Sequence, residues 1–332
     1  MADGKWISDL TAATPLADAA RRVLTVRLAA VHAYLPLAMR QSAEDPEHVH
    51  QLRVSTRRAG AALEIFSACL PEKDYRLARK TLRRIRRAAG AARDWDVFLG
   101  ETPPIDKANG RQPVRDLIVG YAVGRRLAAQ ADLEVASPNF PFDYERFQAE
   151  TIAAVRKPKD DPALRSLLDL AQPMLTRLLH ELHAAASGDL NDYDHLHQVR
   201  IVGKRVRYAM EVFVDCFSAA FKDELYPAVE KMQSILGDAN DSHVAAGHLR
   251  ELLQGVKVQR AADWRRWKSG LETMIRDHDE RVKLKQAEFI RWWQDWQQSG
   301  GESAFTALLK PAPAAAAEPA EDAPDDDPPH RD

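Results

Sequence analysis

The sequence predicts an all-α protein made of two homologous halves. Helix-forming Ala, Leu, Arg, Glu and Gln dominate the 332 residues, and apolar residues recur three and four positions apart. No stretch shows the sustained alternation of apolar and polar residues, bounded by turn residues, that is typical of strands. The third observation is an internal repeat with a fixed spacing of 147 residues.

Turn-forming segments separate the predicted helices. Breaks rich in Pro, Gly and Asp lie near 100–113, 136–141 and 157–162, and the third is close to the middle of the chain. We therefore place the boundary between the halves at the third break. The prediction divides the chain into a folded region over 1–305, with halves at about 15–157 and 162–300, and a tail over 306–332.

The tail is predicted to be disordered and acidic. Residues 311–332 consist of Ala, Pro and acids with almost nothing to bury, and they hold seven acidic residues against Arg331. The whole chain has 47 basic and 49 acidic residues, a formal charge of −2, so the remaining 310 residues carry about +4. The near-neutral average excludes a uniformly basic, histone-like protein, but it hides a basic body.

Other features of the composition predict a soluble cytoplasmic protein. Two cysteines are too few for a disulfide framework in a chain of this length, which favours a reducing compartment. The N-terminal residues lack the layout of a signal peptide, and no apolar run approaches the ~18 residues that a membrane span needs.

The repeat is clearest where residues 48–66, HVHQLRVSTRRAGAALEIF, align with residues 195–213, HLHQVRIVGKRVRYAMEVF. Over 48–97 and its counterpart, 13 of 50 positions are identical. Asp45 and Asp192 stand just before the two segments, where an Asp side chain can cap a helix. We therefore expect an equivalent capped helix in each half.

Each of these helices carries a basic stripe. At about 100° per residue, the stripe residues fall in one narrow sector, while apolar residues gather on another side of the helix. The stripe residues are His50, Arg53 and Arg57 in the first half and His197, Arg200, Lys204 and Arg207 in the second. A solvated face with ion pairs to neighbouring helices is the ordinary alternative for such a stripe. The sequence leaves open whether the two stripes face one channel.

The next segment favours an anionic partner over that alternative. Residues 76–93 hold eight basic residues and no acidic residue, and residues 53–93 hold 12 basic and three acidic residues. Like charges at this density repel each other, which a bound polyanion would offset. The residues expected to contribute are Arg76, Lys80, Arg83, Arg84 and Arg87, together with Lys231, which matches Arg84 in the less basic second half.

The doubled motif resembles the CHAD domain, the conserved histidine α-helical domain, over about residues 15–300. The matching motifs are His50-Gln-Leu-Arg53 with Arg57-Arg58, His197-Gln-Val-Arg200 with Lys204-Arg205-Val-Arg207-Tyr208, Gly90-Ala-Ala-Arg93-Asp94, and Gly237-Asp-Ala-Asn240-Asp241. The sequence departs from the pattern at Gly60, where the second half has Arg207.

The resemblance implies a fold and a function. The implied fold is a pair of four-helix bundles related by pseudo-twofold symmetry, with a basic surface or central pore that binds inorganic polyphosphate, often on polyphosphate granules. The Glu-x-Glu-x-Lys signature of the triphosphatase domain often fused to this family is absent, so the resemblance implies a stand-alone binding module and not an enzyme. The implied binding residues are His50, Arg53, Arg57 and Arg58 in the first half and His197, Arg200, Lys204, Arg205 and Arg207 in the second.

Three alternatives remain beside polyphosphate binding. Nucleic acid is the second hypothesis, since the basic segment 76–93 would attract it equally. Hydrolysis of phosphoanhydride bonds is the third hypothesis, because the sequence shows no cluster of carboxylates that could bind magnesium. A metal site at His48 and His50 is disfavoured, because residues two apart on a helix point in different directions. We expect no cofactor.

Overall fold

The computed structural model describes residues 5–102, 112–135, 143–158, 163–259, 262 and 264–309. Within these ranges the protein forms ten α-helices and no strand, which confirms the all-α prediction. The helices are α1 (Leu16–Arg40), α2 (Glu47–Ile65), α3 (Glu72–Glu101), α4 (Gln112–Val135), α5 (Tyr144–Ala153), α6 (Leu167–Ala186), α7 (Tyr193–Phe213), α8 (Tyr226–Gln259), α9 (Trp264–Gln298) and α10 (Gly301–Leu308).

The order of the elements repeats between the two halves. Helices α1 to α4 have α6 to α9 as counterparts, and short 3₁₀ turns at Ser67–Cys69 and Val214–Cys216 stand 147 residues apart. Each turn ends in a buried, free cysteine. Burial raises the pKa of the Cys69 thiol to about 11 and that of the Cys216 thiol to about 12, so both are protonated, unreactive core residues.

The halves meet through equivalent elements. Helix α2 contacts α7, α3 contacts α8, α4 contacts α9, and α1 contacts α6, a pairing that a twofold axis between the halves produces. The segments that lead into α1 and α6 also join: the Leu16 amide donates to the Arg165 carbonyl at 3.0 Å, and the Leu167 amide donates to the Thr14 carbonyl at 2.9 Å.

Helices α2 and α7 bury the same positions of the repeat. Leu52 and Val199 are fully buried, as are Phe66 and Phe213 at the ends of the two repeat segments. These apolar sides anchor each helix in the core of its own half, since burying such a side chain stabilises the fold by about 1.5–3 kcal/mol. The stripe side of each helix is therefore left free to face the other half.

The described part of the predicted tail is short. Residues 306–308 belong to α10, and Leu309 is buried, with its carbonyl oxygen accepting a hydrogen bond from Gln172 Nε2 at 2.8 Å. The rest of the predicted tail, from residue 310 onward, lies outside the described residues.

Candidate polyanion-binding groove

An aspartate precedes each stripe helix and accepts a hydrogen bond from an amide of its first turn. The Asp45 carboxylate accepts a hydrogen bond from the Glu47 amide at 2.8 Å, and the Asp192 carboxylate accepts one from the His195 amide at 3.3 Å. Each bond satisfies an amide that has no partner within its helix. Because α2 begins at Glu47 and α7 at Tyr193, within one residue of the equivalent position of the repeat, their stripes run in register with each other.

Most residues of the two stripes line one cavity, with His50 and Arg207 as the exceptions. A groove of about 860 Å³ lies between α2, α3, α7 and α8, which answers the question that the sequence left open. Its wall contains nine basic side chains and two acidic ones, Glu64 and Asp94. The basic residues are Arg53, Arg57, Arg79, Arg83, Arg86, Arg87, Arg200, Lys204 and Arg205.

Most of these basic side chains have no acidic partner among the residues that the structure describes. Arg53 Nη2 lies 3.0 Å from Asp94 Oδ1, and Arg205 forms ion pairs with Glu181 and, at 3.9 Å, with Glu64. The other seven have no carboxylate within 4.0 Å in the described parts of the chain. Arg200 Nε is buried there without a hydrogen-bond partner. Unpaired cations at this density are costly to hold together, so the groove is poised to receive an anion.

Burial and the surrounding arginines act together on Lys204. Burial lowers the pKa of its ammonium from 10.5 to about 5, and the nearby Arg57, Arg200 and Arg53 contribute to that lowering. Burial also lowers the pKa of Arg53 to about 10. In the empty groove at neutral pH, the Lys204 side chain is therefore a neutral amine.

The two motif histidines lie in adjoining spaces. His197 lines the groove, while His50 lines a smaller cavity of about 120 Å³ that shares Arg53 and Asp94 with it. Burial lowers the pKa of both imidazoles; Arg93 adds to the effect at His50 and Arg200 at His197. His197 Nδ1 is buried and has no hydrogen-bond partner among the described residues.

Arg58 and Arg207, implied as binding residues by the family motif, contact a buried carboxylate outside the groove wall. Glu211 is fully buried, and Arg58 Nε donates to Glu211 Oε2 at 2.7 Å. Arg207 Nε lies 3.5 Å from Glu211 Oε1, and Arg27 Nη2 of α1 lies 3.6 Å from Oε2. The cluster joins α1 and α2 of the first half to α7 of the second.

The Arg-rich helix α3 turns a different side to the groove than the sequence predicts. Arg83 and Arg87 line the groove, but Arg76 pairs with Glu72, and Lys80 is absent from the wall. Arg84 also lies outside it, with Nη2 3.4 Å from the Val135 carbonyl oxygen, and so does the exposed Lys231 of α8. Two residues outside the predicted set, Arg79 and Arg86, line the groove instead.

Neither a metal-binding cluster nor a membrane-spanning helix occurs among the described residues. In that part of the chain, no group of three or more His, Cys, Asp or Glu side chains could hold a metal ion. No helix there combines the length and apolar character needed to cross a membrane.

Fold and groove together define an all-α protein whose two homologous halves enclose a strongly basic cavity. The chain belongs to the CHAD domain family, whose model matches residues 13–250. A search of curated proteins found no match.

Two solved structures share the fold. The CHAD domain from the plant Ricinus communis is 26% identical, with a TM-score of 0.66, and the match covers 85% of this chain and 94% of that one. PptA from Streptomyces chartreusis is 17% identical, with a TM-score of 0.64, and the match covers 85% of this chain and 100% of that one. The match to PptA carries the fold alone.

Proposed function

We propose that the protein binds inorganic polyphosphate in the groove between α2, α3, α7 and α8, without hydrolysing it. The observation that carries the proposal is a set of six groove arginines that, like Lys204 beside them, have no carboxylate within 4.0 Å in the described structure. The family resemblance points to the same ligand. By the same reasoning we propose that the protein associates with polyphosphate granules.

The chemistry of polyphosphate matches this wall. The polymer repeats one anionic group along a flexible chain, so its receptor needs many charged donors spread over a surface. Arg guanidinium groups donate forked, charge-assisted hydrogen bonds to neighbouring oxygens. Both acidic side chains in the wall face arginines, Asp94 facing Arg53 and Glu64 facing Arg205, which limits their repulsion of the ligand.

Direct titration with long-chain polyphosphate tests the proposal. We expect tight binding at low salt that weakens steeply as salt rises, because each neutralised phosphate releases counterions. Arg57→Ala with Arg87→Ala should weaken binding at least tenfold. The matched control is Arg276→Ala with Arg291→Ala, which removes the same charge from exposed positions on α9. Absence of binding at low salt, or equal loss in both double variants, would refute the proposal.

Nucleic acid is the competing ligand. Single strands bind to proteins through a basic groove combined with aromatic side chains on which bases stack. Tyr208 is the one aromatic residue other than histidine among the groove-lining residues that the structure describes. We therefore expect polyphosphate to displace RNA when both are present at equal charge concentration, and a preference for RNA would favour the rival.

Hydrolysis is tested separately. We expect no release of phosphate above background in the presence of magnesium. Release that a chelator abolishes would make the protein an enzyme.

A further inference from the structure

We infer that the groove takes up protons when the polyanion binds, and that Lys204 is the main proton acceptor. The inference rests on the proposed function and concerns how the same site is regulated by pH. Binding would then be tighter in mildly acidic surroundings than in alkaline ones.

The placement of Lys204 carries the inference. The charged groups Arg53 and Arg57 on α2 and Arg200 on its own helix act on it directly. Four arginines of α3 line the same groove. Helix α8 contributes Asp241, which attracts a proton but is the weakest of the five influences on Lys204. No carboxylate in the described structure lies within 4.0 Å of Lys204 Nζ. The empty groove therefore disfavours a charge on this side chain.

The internal repeat supplies an independent observation. Lys204 occupies the position that Arg57 occupies in the first half. A guanidinium remains charged at every physiological pH, whereas an amine can release its proton when it is crowded by cations or buried. The pair therefore places one fixed cation and one titratable group at equivalent positions of the same groove.

A bound polyanion favours the charged form of the Lys204 side chain. Phosphate oxygens supply the negative charge that the empty site lacks, so the pKa of Lys204 rises from about 5 towards its ordinary value. The amine accepts one proton from solvent, and the resulting ammonium donates hydrogen bonds to the phosphate oxygens. His197 and His50 should also take up protons when the polyanion binds, but at lower pH, because burial lowers their pKa values in the ligand-free protein.

Isothermal titration calorimetry measures this uptake directly. The full-length protein is titrated with long-chain polyphosphate at pH 8, where the histidines contribute little, in Tris and in HEPES. The dependence of the observed heat on the ionisation enthalpy of the buffer gives the number of protons taken up. Long chains keep the contribution of the titratable terminal phosphates small. We expect about one proton per filled site and a roughly tenfold weaker affinity for each unit of rising pH.

Two variants and a control test whether Lys204 accepts the proton. Lys204→Arg should still bind but lose most of the uptake and most of the pH dependence above pH 7.5. Lys204→Met should lose the uptake as well and bind more weakly. Lys283→Arg changes an exposed lysine on α9 and should behave like the wild type.

The outcomes separate this inference from the proposed function. Binding with no buffer dependence in the wild type would overturn proton uptake and leave polyphosphate binding intact. Undiminished uptake in Lys204→Arg would overturn the assignment to Lys204. Absence of binding at low salt in every buffer would instead refute the proposed function itself.

Discussion

Arg57 and Arg58 are adjacent on α2 but have opposite surroundings. Arg57 lines the groove and has no carboxylate partner in the described structure, while Arg58 donates two hydrogen bonds to the fully buried Glu211. A basic pair in a motif can thus serve two purposes. One member faces the groove, and the other joins the two halves that form it.

Exchange of each arginine for alanine should separate these purposes. Arg58→Ala removes two hydrogen bonds to a buried charge, while Arg27 and Tyr226 still contact Glu211, so we expect a loss of about 1.5–3 kcal/mol in the free energy of unfolding. Arg57→Ala should change that free energy by less than about 0.5 kcal/mol and weaken polyphosphate binding more than Arg58→Ala does. Urea denaturation and binding titrations measure the two effects, and a reversed order in either would contradict the assignment.

Lys204 should lower the stability of the empty protein. Because its pKa is about 5 in the folded state and ordinarily 10.5, the unfolded chain binds a proton that the folded protein does not at every pH between these values. This contribution destabilises the fold most at low pH and vanishes above pH ~10.5, so stability rises with pH across the window.

Lys204→Met should therefore raise the unfolding midpoint in urea. The gain over the wild type should be larger at pH 6 than at pH 9, because the proton penalty shrinks as the pH approaches 10.5. Lys283→Met, at an exposed position, should show no such pH-dependent gain. A gain that is equal at both pH values would mean that lost protonation is not its cause.

At the scale of the element, α2 and α7 were the most predictable helices. Their apolar sides, their Asp caps and the exact 147-residue spacing all follow from local sequence, and the structure has the helices where the repeat indicates. That residues of both stripes line one groove could not be predicted, because it depends on how the halves pack.

The side of α3 that faces the groove was predicted less well. The predicted side is centred on Arg76, Lys80, Arg83 and Arg87. The arginines that line the groove are centred about 45° away around the helix. On a helix that is basic over so much of its circumference, charge does not identify the inner side. The packing of α3 against α2 and α4 decides it, and so brings Arg79 and Arg86 into the wall.

Gly60 offers a test of how the stripe of α2 works. It lines the groove, and a Cβ atom built there meets nothing within 4 Å. Gly60→Arg should therefore add a cation to the wall and raise polyphosphate affinity, although Glu64 one turn away would offset part of the charge. Gly60→Ala is the matched control: both variants should stabilise the helix by about 0.5–1 kcal/mol, but only the arginine should tighten binding. Equal affinities in the two variants would show that position 60 does not reach the ligand.

At the scale of the molecule, the twofold arrangement concentrates charge that the whole-chain composition conceals. Each half brings one stripe to the shared groove, and α3 adds four arginines where its counterpart α8 adds Asn240 and Val244. The groove is thus symmetric in its backbone and asymmetric in its charge. The near-neutral total arises because residues 311–332 carry seven acids and one arginine, while the remaining 310 residues carry about +4.

Removal of residues 311–332 should consequently tighten polyphosphate binding at low salt. The deletion changes the formal charge of the chain from −2 to about +4, which removes long-range repulsion of an anionic ligand. The Debye length falls from about 30 Å at 0.01 M salt to about 8 Å at 0.15 M, so the gain should shrink as salt rises. A variant with the seven acids replaced by Asn and Gln keeps the length of the tail and should reproduce the gain. If both variants bind as the wild type does at 0.01 M salt, the acidic segment has no influence on the groove.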